Sequence, residues 1–205
     1  LLFKKYFEKR GEGNTRKKIL IPDSAHGTNP ATAALAGFQV QTLPSLSNGL
    51  TDIEYLKSVL GPDVAGMMIT NPNTLGIFEN QISQITALLH QAGGLMYMDG
   101  ANLNALLGIA RPGDMGFDVM HYNLHKTFST PHGGGGPGSG AVGVGKKLEP
   151  FLPGPQVIRT DSGFDLFNNS ENSIGRLHHF FGNFGMLVRA YTYIRIHGPI
   201  GLKRI

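Results

Sequence analysis

Uninterrupted apolar runs alternate along the chain with stretches whose apolar residues recur every three or four positions, and this alternation sets the expected architecture. Residues 18–22, 38–43, 64–70, 95–98, 117–122 and 141–144 read as strands. The third and fourth, VAGMMIT and LMYM, are apolar almost throughout, as in strands covered on both faces. Residues 51–60 place Ile53, Leu56, Val59 and Leu60 on one helical face and stop at Gly61 and Pro62. Residues 80–92 do the same with Ile82, Ile85, Leu88 and Leu89 before Gly93 and Gly94. A charged amphipathic helix over 1–11, a short helix over 102–107 and a long one over 184–196 complete the set. A small-residue helix follows the loop DSAHGTNP, with Thr28 or Asn29 as its cap and Pro30 in its first turn. Strands alternating with helices predict an α/β fold, a three-layer α/β/α sandwich around a mostly parallel sheet.

Composition narrows the classes. The 205 residues suffice for one large domain, and 40% hydrophobic with 16% charged residues is ordinary globular usage. With no cysteine, disulfides, thiolate metal sites and thiol nucleophiles are excluded together. The net charge of +4 comes from basic residues near the two ends, which reads as solvated surface and not as a nucleic-acid patch. No apolar run approaches the roughly 18 residues of a membrane span, and Lys4, Lys5, Glu8 and Lys9 break any signal-peptide core, so a cytoplasmic protein is expected. The chain opens inside its first helix without a methionine, which places the natural start upstream. Its 29 glycines and 12 prolines gather in loops between apolar strands, as when loops pass close to a ligand.

In open α/β sheets ligands sit beyond the carboxyl ends of the strands, and four polar loops fall there: 24–29, 71–74, 99–102 and 123–127. Asp99 ends an apolar strand, where a partly desolvated carboxylate needs a donor partner, although a cap for the next helix is an equal alternative. Gly100 and Ala101 are small enough for a flat ring to lie against the backbone. Lys126 sits between a strand and a glycine loop, where desolvation would favour its neutral, nucleophilic amine over the surface role usual for lysine. The glycine run 133–136 offers backbone amides for a phosphate, or is a flexible loop; it matches neither nucleotide-binding glycine motif. His26 has no partner at metal-ligand spacing among the eight histidines, and no metal site is expected.

The stretches LIPDSAHGTNPATAALAGF, ITNPNTLGIFE, MDGANLNALLGIARPGDMGFDVMHYNLHKTFSTPHGGGGPGSGAVGVG and SIGRLHHFFGNFGMLVRAYTYIR resemble the P-protein family of the glycine cleavage system, most closely its separate second subunit in bacteria with a two-chain enzyme. That resemblance implies an aspartate-aminotransferase-like fold (fold type I), pyridoxal 5'-phosphate as cofactor, decarboxylation of glycine, and transfer of the aminomethyl group to the lipoyl arm of the H-protein. It implies that Lys126 in NLHKTF is the Schiff-base lysine and that Asp99 in MDGA pairs with the pyridine nitrogen. Ala101 would pack beneath the ring, His26 would stack on its other face, and Asn71 would reach the ring hydroxyl. His125 and the glycine loop would contact the phosphate, with Thr28 of the His26 loop grouped among the cofactor contacts. Lys126, His26 and Asp99 are the expected catalytic set.

The family also carries an upstream glycine-rich phosphate segment and a smaller C-terminal domain, so residues 1–185 are expected to be a truncated large domain and 186–205 a connecting helix. A heterotetramer with the first subunit is the implied assembly. Arg159 and Arg176 are carboxylate-binding candidates by charge alone. Two other readings remain open: a related pyridoxal-phosphate decarboxylase or lyase acting on a larger amino acid, and a non-catalytic phosphate-binding module.

Overall fold

The computed structural model describes residues 1–132, 138–168, 171–177 and 181–205. Six strands form one sheet: β1 (Lys18–Pro22), β2 (Gln39–Leu43), β3 (Val64–Thr70), β4 (Leu95–Gly100), β5 (Val119–Asn123) and β6 (Gly140–Val144). Their spatial order is β2-β1-β3-β4-β5-β6. All neighbours are parallel except β6, which runs antiparallel to β5. The mostly parallel three-layer expectation holds, with its one reversed strand at an edge.

Because side chains alternate across a strand, each central strand feeds two cores. Leu20, Met67, Ile69, Met96, Met98 and Met120 face α3 (Ile53–Val59) and α4 (Ile82–Gln91). Ile19, Ile21, Ala65, Leu95 and Val119 face α1 (Leu2–Lys9), α2 (Thr28–Leu35) and the 3₁₀ turn Lys146–Phe151. Fully buried side chains such as Leu20, Leu56 and Leu89 each contribute about 1.5–3 kcal/mol by leaving water. α1 lies close over β3 because Gly66 has no Cβ; one added there would stand 2.6 Å from the Phe3 ring and 2.3 Å from the Leu95 carbonyl oxygen.

The ends of the strands opposite the polar loops are fastened by charge. Arg16 donates from Nη1 to the carbonyls of Val64 and Ala92, both at 2.8 Å, tying the approach to β1 to β3 and to the end of α4. Buried Asp118 accepts from the Met96 amide at 2.7 Å, lies 2.9 Å from His90 Nε2 and pairs with Lys147 Nζ at 2.6 Å.

Several expected boundaries move. α2 is capped by Gly27, not by Thr28 or Asn29; Thr28 and Asn29 lie inside it and the Thr28 amide donates to His26 Nδ1. The loop expected around Lys126 contains one helical turn, α5 (Leu124–Thr127). An antiparallel hairpin of β7 (Gln156–Thr160) and β8 (Gly163–Phe167) appears where no element was expected; it is exposed, so no burial pattern marks it. The long helix α6 spans Phe184–Arg204 and is broken at Gly198 (φ 59°) before Pro199. Among the described residues no helix is long and apolar enough to cross a membrane.

Candidate active site

The parallel strands deliver their polar loops to one end of the sheet. β1 leads to the His26 loop, β3 to Asn71, β4 to Asp99 and β5 directly into α5 with Lys126. Register makes Asp99 of β4 the neighbour of His121 of β5, and Gly100 the neighbour of Tyr122. Only glycine fits at position 100, since a Cβ would fall 1.9 Å from the His121 carbonyl oxygen.

Asp99 is buried, with two amide groups and an imidazole around it. Its Oδ1 accepts the Ala101 amide at 2.9 Å and lies 3.2 Å from His121 Nε2, while Oδ2 accepts from Asn29 Nδ2 at 3.2 Å. No lysine or arginine pairs with Asp99 among the described residues, in contrast to Asp118 with its Lys147. His121 is itself held, by Tyr97 Oη at 2.5 Å from Nδ1 and by Asn123 Oδ1 at 3.0 Å from Nε2. Burial, and then the nearby Asp99 charge, push the Tyr97 phenol above its ordinary pKa, so it stays protonated.

Lys126 is exposed on α5, and no hydrogen bond or ion pair engages its amine among the described residues. The expected desolvation is therefore absent: the helical turn lifts the side chain off the sheet. Its neighbour Thr127 is buried and donates to Asn104 Oδ1 at 2.9 Å, which anchors the turn to the 3₁₀ turn Leu103–Leu106 after β4. On the other side His125 bonds Ser139 through Nδ1 at 3.2 Å and packs against His132, 4.4 Å between ring centroids. The glycine run expected to bind phosphate lies outside the described residues.

The remaining expected residues are placed as follows. His26 is exposed, its Nδ1 taking the Thr28 amide at 3.1 Å, and Thr28 is exposed beside it. Asn29, one turn on, reaches down to Asp99, so α2 links the His26 loop to the end of β4. Asn71 is fully buried and its amide is engaged with the Glu79 backbone, accepting at 2.9 Å and donating at 3.4 Å. Asn102 donates to the carbonyls of Pro72 and Asn73, joining the β3 and β4 loops. Arg159 is exposed on the hairpin, and Arg176 is exposed at the wall of a cavity of about 790 Å³. That cavity lies over the α1 and α2 face, lined by Met68, Tyr97, Val119 and Val142, and includes none of Lys126, Asp99 or His26.

Asn29, Tyr97 and His121 were not singled out in the sequence. A signal existed for two of them: period-two alternation puts Tyr97 on the face of Asp99 and His121 on the face of Asn123. What could not be read was the parallel register that sets those pairs side by side.

The buried carboxylate and the exposed lysine thus stand on adjacent strand ends of a mostly parallel α/β sheet covered on both faces. The chain belongs to the aminotransferase class-V family, whose model matches residues 7–168. It is 60% identical over its whole length to a protein of Chlorobium chlorochromatii named "Probable glycine dehydrogenase (decarboxylating) subunit 2", of which it covers 42%. It thus spans about two fifths of the length of that curated relative. The crystal structure of glycine decarboxylase, the P-protein of the glycine cleavage system, in inhibitor-bound form, aligns with a TM-score of 0.74 at 22% identity, covering 100% of this chain and 48% of that one. Aspartate aminotransferase from Thermus thermophilus aligns at 0.55 and 14% identity, covering 72% and 40%. The fold is aspartate-aminotransferase-like.

Proposed function

We propose that this chain is the cofactor-carrying core of a glycine-decarboxylating enzyme that uses pyridoxal 5'-phosphate. The observation that carries the reading is Asp99: a buried carboxylate without a lysine or arginine partner among the described residues, at the strand end next to the one that leads into Lys126. A carboxylate in that setting is stabilised by a cation brought by a ligand, and a protonated pyridine nitrogen is such a cation. The small Ala101 also suits a flat ring. The names of the relatives supply glycine as the substrate.

In this reading Lys126 would hold the cofactor through its exposed amine, and Asp99 would pair with its ring nitrogen. The bound cofactor supplies an electron sink for the pair left behind when the glycine carboxylate departs as carbon dioxide. His26 would cover one ring face and Ala101 the other, with Thr28 and His125 toward the phosphate. Asn71 would act through the loop it fastens to Glu79, because its own amide is engaged there. The aminomethyl group would pass to the lipoyl arm of the H-protein. The reading includes a cytoplasmic heterotetramer with the first subunit, with residues 1–185 in the large domain and 186–205 connecting onward.

Borohydride reduction of the full-length, cofactor-loaded enzyme followed by peptide mapping tests the assignment. The reduced cofactor is expected on the peptide containing Lys126, and its absence there overturns the assignment. Exchange of the glycine carboxyl carbon with bicarbonate in the presence of H-protein tests the substrate; no exchange removes glycine.

A further inference from the structure

Asp99 has more structure around it than charge pairing requires. A carboxylate oxygen accepts about two hydrogen bonds, and Oδ1 already faces two donors, the Ala101 amide and His121 Nε2. Oδ2 faces one, Asn29 Nδ2, and so retains an acceptor position. The open lone pair of Asp99 is on Oδ2.

The imidazole of His121 can be assigned a tautomer. Its Nε2 lies between two acceptors, Asp99 Oδ1 at 3.2 Å and Asn123 Oδ1 at 3.0 Å, so the proton belongs on Nε2. Its Nδ1 faces Tyr97 Oη, which fixes the plane of the ring. A donor beside Oδ1 stabilises the carboxylate and leaves Oδ2 for a ligand.

We propose that His121 is a positioning residue, its ring fixed between Tyr97 and Asn123, which holds Asp99 turned so that Oδ2 receives the ring nitrogen of the cofactor. The proposal rests on Asp99 being the partner of that nitrogen. It extends a line of side chains, Tyr97 to His121 to Asp99, across two neighbouring strands, and makes the floor of the sheet part of the electron sink's control.

The test compares dissociation constants of the full-length apoenzyme for pyridoxal 5'-phosphate and for its 1-deaza analogue, in which C–H replaces the ring nitrogen. Asp99→Asn is the control and should weaken the natural cofactor only. His121→Phe keeps a ring but removes the polar contact; it should weaken the natural cofactor about tenfold and leave the analogue within about twofold, as expected for one lost polar contact to a charged group. His121→Gln, which restores a donor near Nε2, should recover most of the loss. Tyr97→Phe deletes one oxygen with the ring packing kept, and should show the same selectivity to a smaller degree. Equal weakening of both ligands, or of neither, in His121→Phe and Tyr97→Phe while Asp99→Asn discriminates overturns the proposal alone. If Asp99→Asn itself does not discriminate, the reading of Asp99 falls and the proposal with it.

Discussion

The strand ends that carry Asp99 and Lys126 are neighbours and are built in opposite ways. Asp99 is buried, with Ala101, His121 and Asn29 around its two oxygens before any ligand arrives. Lys126 stands exposed on a single helical turn that is secured through its neighbours, Thr127 to Asn104 and His125 to Ser139, and not through its own amine. In the proposed roles, an acceptor that must hold one geometry would be preassembled, and a nucleophile that must bond and release would be braced only at its base.

Substitutions can break that contrast. Lys126→Ala should have the largest effect on chemistry and almost none on stability: loss of glycine–bicarbonate exchange by about a thousandfold or more. Its thermal midpoint should be unchanged, since an exposed, unpaired side chain contributes within about 0.5 kcal/mol. A large drop in midpoint would show that the lysine is braced after all. Asp99→Asn should slow exchange about a hundredfold or more while the protein stays folded, because the amide cannot keep a ring nitrogen protonated. Near-normal exchange would remove Asp99 from the mechanism. Asn71→Ala tests a residue whose effect runs through the loop: it orphans the buried Glu79 amide and should cost about 1–3 kcal/mol, read as a shifted urea midpoint at unchanged slope.

The smallest effect is expected from Ser45→Ala, on a carboxylate unlike Asp99. Asp23 is exposed, and the Ser45 hydroxyl and then the Ser45 amide hold its pKa below the usual carboxylate value. A depressed folded-state pKa adds stability above the unfolded value of about 4 and loses it as pH falls toward the folded value. Removing the hydroxyl should therefore lower stability slightly near neutral pH and leave it almost unchanged at pH below the folded value. Unchanged stability near neutral pH would show that the pair contributes nothing.

The sequence disclosed most of the sheet. β3 and β4 are apolar on both faces, and α3 and α4 have regular apolar stripes closed by glycine, so periodicity found them within a residue or two. The hairpin β7–β8 escaped because its strands are short and its apolar residues, such as Val157, Phe164 and Leu166, stay exposed and mark no buried face. In the site, Asp99 and Lys126 were legible as polar residues at the ends of apolar strands. Asn29 and His121 were not, since each acts on a residue that only register and helix placement bring near: Asn29 through α2 and His121 through the pairing of β4 with β5. The surroundings of Lys126 were misjudged, because nothing in NLHKTF distinguishes a buried loop from a helical turn that carries the amine outward.

The reversal of β6 has a consequence for how such a site can diversify. Since β6 is antiparallel to β5, the chain that leaves Lys126 re-enters the sheet at the end it came from, and Ser139 is tied there to His125. A parallel strand would require a crossover to the opposite end, and any change of length would disturb a helix and the layer it packs in. Here the connection begins and ends on the side of Asp99 and Lys126, so its length can change while the sheet register stays fixed, and variation among relatives should concentrate between β5 and β6.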